Sequence, residues 1–513
     1  MKKILLSLFL FGSLLTSCDM DLAPVGSISD EDALESAEDC RRYRNGFYNN
    51  MRALATGPYI YYTDLQMDQF LGCVQNGNRN GAISNGIILS GDSDIESIWG
   101  GCYGAIQSVN FFLPRAQELL EREGLLAEDR EAISRYIGEA HLARATYYYY
   151  LLDHFCPVYN ASNKDQKLGL CLVTEYAPTA EKTNYPDRST LEETYKFIEE
   201  DLTIAYTLLK DYEDNTEDED EVAKMKTYNA PYMSSYVAIA LQARLALIKG
   251  DYATAKAKAE EVINAKFWTL QNRLQYANMW QNDNSSELIF RPISSSSELG
   301  ISSTGGAYIS TDPYYADYLP TSAVVNELYP ANDKRQEVFF GTRDLLVEGA
   351  FYSNVPVFTK YPGNPSLKVG TSDNLMNMAK PYRLSEMYLI AAEASYELGQ
   401  ETDANSYLYD LRRNRITGAK NEAFSGTELR DQIRTERARE LLGEGFRMSD
   451  LRRWGLGFAR SGEYPTNPSV NDIIVKAGTN VQYQPNDYRY VWPIPAAEIQ
   501  VNPHLAGQQN PGY

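Results

Sequence analysis

The apolar residues of the chain repeat at the spacing of an α-helix over most of its length after residue 97. One such stripe contains Val237, Leu241, Leu245 and Ile248. A second stripe contains Leu384, Met387, Ala391, Ala394 and Leu398. Each stripe ends at a glycine and is followed by a further apolar segment, residues 253–265 and 404–411 respectively. Because residues three and four apart share one face of a helix, the pattern predicts helices packed in consecutive pairs.

These two predicted pairs resemble tetratricopeptide units, in which small residues let the second helix lie close to the first. A third pair is predicted over residues 98–120 and 131–155, where one face is lined by Leu142, Ala145, Tyr149 and Leu152. Further helices are predicted over residues 191–209 and 429–442. The sequence therefore predicts a mainly α fold.

Two long segments interrupt this helical pattern. Residues 59–94 and 293–377 are rich in Gly, Ser, Asn, Pro and Tyr and show no helical period. A compact domain rarely keeps such long loops unless they have a function. We therefore expect the functional surface to be built from these two segments.

A strongly acidic run lies between two predicted helices. Residues 211–221 carry eight acidic side chains in eleven positions. We interpret the run as a solvated loop that separates the helices. A calcium site is the alternative, although the run lacks the glycine that an EF-hand loop needs.

The N-terminus has the features of a lipoprotein signal peptide. Lys2 and Lys3 precede an apolar run, residues 4–15, which is too short to span a bilayer. The run ends in Leu15-Thr16-Ser17-Cys18, which resembles a bacterial lipobox. We predict that residues 1–17 are removed and that acyl chains on Cys18 hold the mature body, residues 18–513, at a membrane.

Charge and composition narrow the possible partners and chemistry. With 48 Lys and Arg against 69 Asp and Glu, the formal charge of −21 repels a phosphate backbone, so nucleic acid is not expected as a partner. The chain has only 3 His, which leaves little imidazole for catalysis or metal binding. Its 39 Tyr, against 17 Phe, supply many rings that carry a polar hydroxyl. We predict no catalytic residue, no metal site and no cofactor.

The cysteines other than Cys18 show no CxxC spacing, which argues against a zinc site and against a full disulfide framework. Cys156 and Cys171 flank a polar loop. In an oxidising envelope they could close that loop with a disulfide, and the alternative is a pair of buried thiols.

Several segments occur in an order that is typical of one protein family. They include Gly138-Glu139-Ala140 and, further along the chain, residues 287–290 (ELIF), 383–394 (RLSEMYLIAAEA), 433–441 (IRTERAREL), 444–447 (EGFR) and 492–495 (WPIP). In these segments, and over nearly its whole length, the chain resembles the SusD/RagB outer-membrane lipoproteins of Bacteroidetes.

The resemblance implies a SusD-like fold in which four tetratricopeptide-like helical pairs support a loop-rich ligand-binding face. It implies an N-terminal part, residues 18–230, and a C-terminal part, residues 231–513, which contains the loop-rich insertion 293–377. It also implies a non-catalytic, lipid-anchored protein of the outer membrane that binds oligosaccharide or polysaccharide at the cell surface and delivers it to a SusC-like TonB-dependent transporter. The alternative is a helical-repeat surface lipoprotein that binds a peptide or protein instead of a glycan.

Glycan binding needs exposed rings for the apolar faces of sugars and planar polar groups for their hydroxyls. The family motifs do not extend into the two long loops, so we select candidate ligand-binding residues there by residue type. From the first loop they are Asp68, Asn76, Asn78, Arg79 and Asn80. From the second they are Tyr308, Asp312, Tyr314 and Tyr315.

Two patterns that could suggest catalysis have simpler explanations. Glu436 and Glu440 lie one helical turn apart, but the arginines around them favour ion pairs over the acid and base of a glycosidase. Gly91-Asp92-Ser93-Asp94 is superficially similar to an esterase nucleophile motif. Asp92 and Ser93 are better explained as residues that cap the start of a helix.

Overall fold

The computed structural model describes residues 33–77, 79–297 and 303–513. The predicted signal peptide (residues 1–17), the predicted lipidation site Cys18 and the candidate residue Asn78 lie outside these ranges. The structure is about 52% helical, which confirms the predicted mainly α fold. In the part of the chain that is described, no helix is both long and apolar enough to cross a membrane.

The described α-helices are Ala37–Leu54, Pro58–Gln66, Gly81–Ser84, Ser93–Leu120, Ala127–Phe155, Leu191–Asn215, Glu219–Met225, Ser235–Lys249, Tyr252–Ala265, Tyr276–Gln281, Ser322–Asn326, Lys334–Phe339, Leu384–Glu397, Glu401–Arg413, Gly426–Glu440, Arg447–Arg453 and Ala496–Val501. The described strands β1 to β8 are Phe70–Gly72, Leu288–Phe290, Tyr318–Pro320, Phe340–Val347, Ala350–Phe358, Tyr382–Arg383, Phe458–Ala459 and Gln482–Tyr483. They form four antiparallel pairs: β1 with β3, β2 with β6, β4 with β5, and β7 with β8.

Local sequence explains where the long helices begin and end. The Asp92 side chain accepts hydrogen bonds from the backbone at the start of helix Ser93–Leu120. Thr190 and Glu193 form a reciprocal capping box at the start of helix Leu191–Asn215. Gly250 ends helix Ser235–Lys249 with a φ of 81°, a left-handed conformation that favours glycine.

The long helices pack in sequence order, and their apolar stripes form the main core. Helix Ala127–Phe155 packs between Ser93–Leu120 and Leu191–Asn215. Helix Tyr252–Ala265 packs against both Ser235–Lys249 and Leu384–Glu397, and the latter packs against Glu401–Arg413. The predicted helical pairs are therefore present, while their tetratricopeptide-like character stays a prediction.

The described residues of the loop-rich segment 293–377 form more regular secondary structure than their composition predicts. Strands β4 and β5 form a hairpin within it, and two smaller apolar cores lie beneath it. The sequence pattern did not predict this hairpin. One face of the hairpin is exposed, so its strands lack a continuous apolar run. The first loop-rich segment, residues 59–94, likewise contains most of helix Pro58–Gln66 and strand β1.

The acidic run 211–221 is not the loop that we predicted. Helix Leu191–Asn215 continues into the run and helix Glu219–Met225 begins within it, so only Thr216 to Asp218 separate the two helices. The two helices tolerate this density of negative charge because most of the carboxylates are exposed to solvent. Glu213 is buried, accepts hydrogen bonds from the Ser235 backbone and hydroxyl, and pairs with Lys226.

The cysteines of the described residues are free thiols, and each is buried. The disulfide between Cys156 and Cys171 that the sequence left open is therefore absent. Both side chains lie in the main apolar core, where they act as small apolar residues.

Candidate ligand-binding face

Pairing of two distant strands brings the two loop-rich segments together. β1 pairs antiparallel with β3, so that Gly72 lies opposite Tyr318. The segment that follows β1 and the segment that precedes β3 therefore emerge side by side. The surface they form with the β4–β5 hairpin is called the candidate face, and it comprises Gln75, Arg79, Tyr314, Tyr315, Asp317 and Phe351.

Gln75 connects all three segments of the candidate face. Its Nε2 donates to the carbonyl oxygens of Tyr314 (3.1 Å) and Leu346 (2.8 Å), and its Oε1 accepts from the Ala316 backbone N–H (3.0 Å). The Tyr315 hydroxyl donates in turn to the Gln75 carbonyl. Gln75 was not selected from the sequence, because an isolated Gln in a loop gives no signal of this role.

Arg79 joins the two loops a second time. Its guanidinium forms an ion pair with Asp317 and donates to the Gly306 carbonyl (3.2 Å). The Arg79 side chain is 51% exposed, whereas that of Asp317 is 7% exposed. Burial raises the pKa of Asp317 to about 6, and the Arg79 charge only partly opposes this shift.

Two aromatic rings stand out from the surface next to these polar groups. Tyr314 is 49% exposed and Phe351 is 64% exposed. Their centroids are 5.9 Å apart at an interplanar angle of 77°. Leu346, also exposed, lies opposite Phe351 across the hairpin. Exposed apolar groups of this size that cluster together are typical of binding surfaces.

Arg343 fixes the shape of the loop that carries Tyr314. Its Nη1 donates to the carbonyl oxygens of Ser310 (2.8 Å), Asp312 (3.1 Å) and Tyr315 (3.1 Å). The Asp312 side chain also accepts from the Tyr314 backbone N–H at 2.9 Å. Neither Arg343 nor Phe351 was selected from the sequence, since both lie on the hairpin that the pattern did not reveal.

A cleft of about 320 Å³ opens next to the loop that carries Tyr314, because the neighbouring residue Tyr315 is part of its lining. Four of its lining residues are Asn76, Arg79, Tyr315 and Asp317, so it contains candidates from both loops. Hydroxyls and amides of Ser303, Ser310, Thr311 and Asn374 complete its polar lining. One guanidinium and one carboxylate balance in charge, and the remaining groups can donate to or accept from sugar hydroxyls.

Tyr308 is a wrong choice among the sequence candidates. Its side chain is fully buried, with its ring centroid 4.7 Å from that of Phe70 and 4.8 Å from that of Phe358. A ring enclosed in an apolar core cannot stack on a ligand from solvent. The sequence suggested Tyr308 because residue type alone does not show which tyrosine of a loop is buried.

Asp68 and Asn80 have structural roles that the sequence did not indicate. Asp68 forms a two-bonded ion pair with Arg447 (2.6 and 2.9 Å) and lines a different surface cavity. Burial alone would raise the pKa of Asp68, but the Arg447 charge lowers it below its ordinary value. Asn80 adopts a left-handed conformation (φ 55°) ahead of the short helix Gly81–Ser84. Neither residue lines the cleft of the candidate face.

The suspected carboxylate pair lies in the core. Glu436 and Glu440 are both fully buried. Glu440 pairs with Arg335 (2.9 Å), Arg383 (3.0 Å) and Arg415 (2.9 Å). Although burial alone would raise the pKa of Glu436, arginines led by Arg335 lower it to about 2. Ionised and enclosed by arginines, the two carboxylates cannot reach a sugar, so the predicted ion pairing is confirmed. Among the residues described, Arg439 pairs with Glu436 at 3.3 Å, but the partners of Glu440 are not the arginines near it in the sequence.

The esterase-like segment caps a helix, as predicted. Asp92 accepts from the backbone N–H groups of Asp94 (2.9 Å) and Ile95 (3.1 Å). His141 is hydrogen-bonded to Asp201 (2.7 Å), and His154 is hydrogen-bonded to the Tyr150 carbonyl (2.7 Å). Among the described residues, no group of three or more His, Cys, Asp or Glu side chains is arranged to hold a metal ion.

Two segments of the chain match models of known protein families. Residues 342–513 match the SusD family, and residues 45–224 match a SusD-like family described as starch-binding and associating with the outer membrane. The chain belongs to the SusD/RagB family. A SusD-like protein from Formosa agariphila is 33% identical to this SusD/RagB chain over 138 residues, which cover 26% of the chain and 24% of that relative.

Solved structures share the fold of this SusD/RagB chain. A SusD superfamily protein from Bacteroides thetaiotaomicron has a TM-score of 0.73 at 24% identity, with 93% of this chain and 100% of that chain covered. A SusD-like carbohydrate binding protein from Bacteroides vulgatus has a TM-score of 0.69 at 19% identity, with 92% and 97% covered. These likenesses confirm the SusD-like fold that the sequence motifs implied.

Proposed function

We propose that this protein binds oligosaccharide or polysaccharide at the cell surface and that the candidate face is its binding site. The observation that carries the proposal is the pair of exposed rings, Tyr314 and Phe351, together with a polar cleft at the meeting point of three chain segments. Membership of a family that includes starch-binding, outer-membrane-associated proteins supports it.

The chemistry of the candidate face suits a carbohydrate. The apolar faces of sugar rings pack on aromatic side chains, and sugar hydroxyls both donate and accept hydrogen bonds. The cleft offers donors on Arg79 and Asn374 and acceptors on Asp317. The charges of Arg79 and Asp317 balance within the cleft, and the whole chain has a formal charge of −21. We therefore expect a neutral glycan to bind better than a sulfated or uronic one.

A role in uptake completes the proposal. We infer that the protein is held at the outer membrane by acyl chains on Cys18 and delivers its glycan to a SusC-like TonB-dependent transporter. For the anchor, Cys18→Ala should move the protein from the membrane fraction to the soluble fraction of the cells. Persistent membrane association of this variant would contradict the lipid anchor. For the partner, the transporter should be recovered with the wild-type protein after detergent extraction.

The binding site is tested by removing the two exposed rings. We expect the double variant Tyr314→Ala/Phe351→Ala to lose about tenfold or more in affinity for a glycan that the wild-type protein retains in affinity electrophoresis. The reason is that each ring–sugar contact contributes about 1 kcal/mol, and about 1.4 kcal/mol corresponds to tenfold in affinity.

A matched control removes exposed apolar groups elsewhere. Tyr228 is 54% exposed and Leu274 is 84% exposed, and neither lines the candidate face. The double variant Tyr228→Ala/Leu274→Ala should bind glycan as the wild type does. The proposed site would be refuted if both double variants bound the glycan equally well. It would also be refuted if no glycan in a panel of neutral and charged polysaccharides retained the wild-type protein.

A further inference from the structure

Another cavity, lined mostly by buried side chains, is separate from the candidate face. It has a volume of about 110 Å³ and shares no lining residue with the cleft of the candidate face. Helix Ala127–Phe155 supplies five of its lining residues, and helix Ser235–Lys249 supplies one. Others come from the segments 377–382 and 444–446. We call this space the inner cavity and define it by Tyr149, Asp153, His154, Arg244, Tyr382 and Phe446.

The hydroxyl of Tyr149 has no hydrogen-bond partner, although the side chain lines the inner cavity. Tyr149 is only 8% exposed, and its hydroxyl neither donates to nor accepts from any described residue. It differs from the Tyr464 hydroxyl, which is also unpaired but is completely enclosed by the protein, because the Tyr149 hydroxyl keeps accessible surface. Buried polar groups are nearly always paired. A buried, unpaired hydroxyl that remains accessible from a cavity points to an occupant of that cavity.

His154 contributes a second unpaired atom to the lining. Its Nδ1 lies 2.7 Å from the Tyr150 carbonyl oxygen, so Nδ1 carries a proton and donates it to that carbonyl. Burial lowers the pKa of His154, because desolvation disfavours the charged imidazolium, and the ring is therefore neutral at neutral pH. In this state Nε2 has a lone pair, and no described residue donates to it. Nε2 is thus an acceptor for a hydroxyl of the occupant.

Two charged side chains complete the polar lining. Asp153 Oδ1 accepts from Ser449 (2.6 Å) and Arg452 (2.7 Å), while Oδ2 has no donor among the described residues. Arg244 donates to Glu386 through Nε (2.7 Å) and Nη2 (2.6 Å), while Nη1 has no acceptor within the described ranges. Neither Oδ2 nor Nη1 is completely enclosed. The inner cavity therefore offers an occupant both donors and acceptors.

The charges around the inner cavity are balanced by the protein itself. Asp153 and Arg244 each have the counter-charge just described. The other two charged lining residues are also paired, Lys380 with Asp283 at 2.5 Å and Glu444 with Lys360 at 2.6 Å. A charged occupant would lose its hydration without gaining a counter-ion. The lining therefore favours a neutral molecule.

Aromatic rings form much of the remaining lining, and they include Tyr59, Trp280, Tyr361 and Phe446. Because one water molecule needs about 10–15 Å³ of such a volume, the inner cavity has room for about seven to eleven waters or for one molecule of similar total size. Water can pair with the free polar atoms but gains nothing from ring faces. An amphipathic molecule can use both kinds of surface.

We propose that the inner cavity binds one neutral, polyhydroxylated unit of the size of a monosaccharide. The apolar faces of a sugar ring pack against aromatic side chains, and its hydroxyls both donate and accept. Sugar hydroxyls would donate to His154 Nε2 and Asp153 Oδ2 and would accept from Arg244 Nη1. The Tyr149 hydroxyl can serve as donor or acceptor. This site is additional to the candidate face, because the two share no lining residue.

The test measures sugar binding after the candidate face has been disabled. The double variant Tyr314→Ala/Phe351→Ala is titrated with glucose, galactose and mannose, and ligand-observed NMR gives the dissociation constants. We expect at least one of these hexoses to bind. If none of them binds this variant, the inner cavity holds only water and the proposal is overturned. Because the variant lacks both exposed rings, the result does not depend on whether the candidate face binds glycan.

The role of the Tyr149 hydroxyl is tested by removing that group alone. In the double-variant background, Tyr149→Phe should weaken hexose binding about tenfold, because one hydrogen bond to the sugar is lost. Tyr464→Phe is the matched control, since it removes an unpaired hydroxyl that does not line the inner cavity. Both changes should leave the melting temperature unchanged. Equal hexose affinities in the two variants would overturn the proposal.

Further probes define the charge and the source of the ligand. Glucuronate and glucosamine share the ring of a hexose but carry opposite charges, and both should bind at least tenfold more weakly than the best neutral hexose. Stronger binding of either one would contradict a neutral ligand. A free sugar and the terminal unit of a longer chain have the same chemistry. A trisaccharide of the best hexose separates them: if it binds and Tyr149→Phe weakens it, a chain end enters the inner cavity, and otherwise the ligand is the free sugar.

Discussion

Two sets of ion pairs in this molecule are built in contrasting ways. Around Glu440, three arginines with no more than 2% side-chain exposure converge on one carboxylate. On the candidate face, Arg79 is half exposed and forms its ion pair with one carboxylate, that of Asp317. The first arrangement joins helix Gly426–Glu440 to helix Lys334–Phe339, to strand β6 and to the loop that follows helix Glu401–Arg413. The second holds two loops together and leaves polar groups available to solvent.

The difference teaches which features a sequence can reveal. The ion pairing of Glu436 and Glu440 could be predicted, because arginines surround both carboxylates in the sequence, but the partners of Glu440 could not, because all three lie outside that helix. The candidate face depends on side chains that bond main-chain carbonyls, as Gln75 and Arg343 do. A carbonyl is present at every position, so such contacts leave no pattern in the sequence.

The strongest test of this contrast is Arg415→Ala. Arg415 pairs with both Glu440 (2.9 Å) and Glu287 (2.6 Å) and is fully buried. Its removal takes the nearest counter-charge from buried Glu287 and one of three arginines from Glu440, so we expect the free energy of unfolding to fall by about 3–5 kcal/mol. Urea denaturation measures the change.

Arg413 provides the matched control two residues away. It is 57% exposed and pairs with Asp410 on the same helix at 3.0 Å. Arg413→Ala should lower the free energy of unfolding by less than about 1 kcal/mol, because solvent screens exposed pairs. Similar losses in both variants would mean that burial does not decide the strength of these pairs.

The loop geometry of the candidate face is tested by Arg343→Ala. The variant removes the donor to three carbonyl oxygens in the loop that carries Tyr314. We expect a loss of about 1–2 kcal/mol in the free energy of unfolding and about tenfold in glycan affinity, since the loop is no longer preorganised. Calorimetric titration with a glycan that binds the wild type measures the affinity.

The neighbouring variant Thr342→Ala separates loop shape from a general effect on the hairpin. Thr342 is exposed on β4 and does not line the cleft. It should leave glycan affinity unchanged. If Thr342→Ala weakens glycan binding as much as Arg343→Ala does, the hydrogen bonds from Arg343 to the loop carbonyl oxygens do not determine the shape of the site.

The smallest expected effect is a pH dependence at Asp317. Burial raises the pKa of Asp317 from 3.8 to about 6, so the folded state holds this proton more tightly than the unfolded state. The contribution of protonated Asp317 to the free energy of unfolding is therefore fully present below about pH 3.8 and is lost as pH rises through about 6. Asp317→Asn cannot ionise, so its stability relative to wild type should rise by about 1–3 kcal/mol over this interval.

Arg79→Ala checks the assignment of this titration. Without the guanidinium, the pKa of Asp317 should rise further, and the stability change should move to higher pH. Urea denaturation over a series of pH values measures both variants. A pH profile that is identical in wild type and Asp317→Asn would refute the raised pKa.

Much of the helical fold could be predicted, because apolar stripes such as Val237 to Ile248 report packing directly. The candidate face could be predicted only in part. Arg79, Tyr314 and Tyr315 lie together on it, because their loops emerge from paired strands. Tyr308 and Asp68 could not be told apart from them, since burial and ion pairing depend on contacts with residues far away in the chain. Phe351 was missed because its hairpin has an exposed face.

The burial of the five described cysteines has a practical consequence for studying this protein. Burial raises the pKa of Cys73 to about 11 and that of Cys171 to about 12, and the thiolate is the form that alkylating reagents attack. The folded body should therefore resist modification by maleimides. A single Leu274→Cys substitution, at a position that is 84% exposed, would give one selectively reactive position for attaching a fluorophore or a surface immobilisation tag.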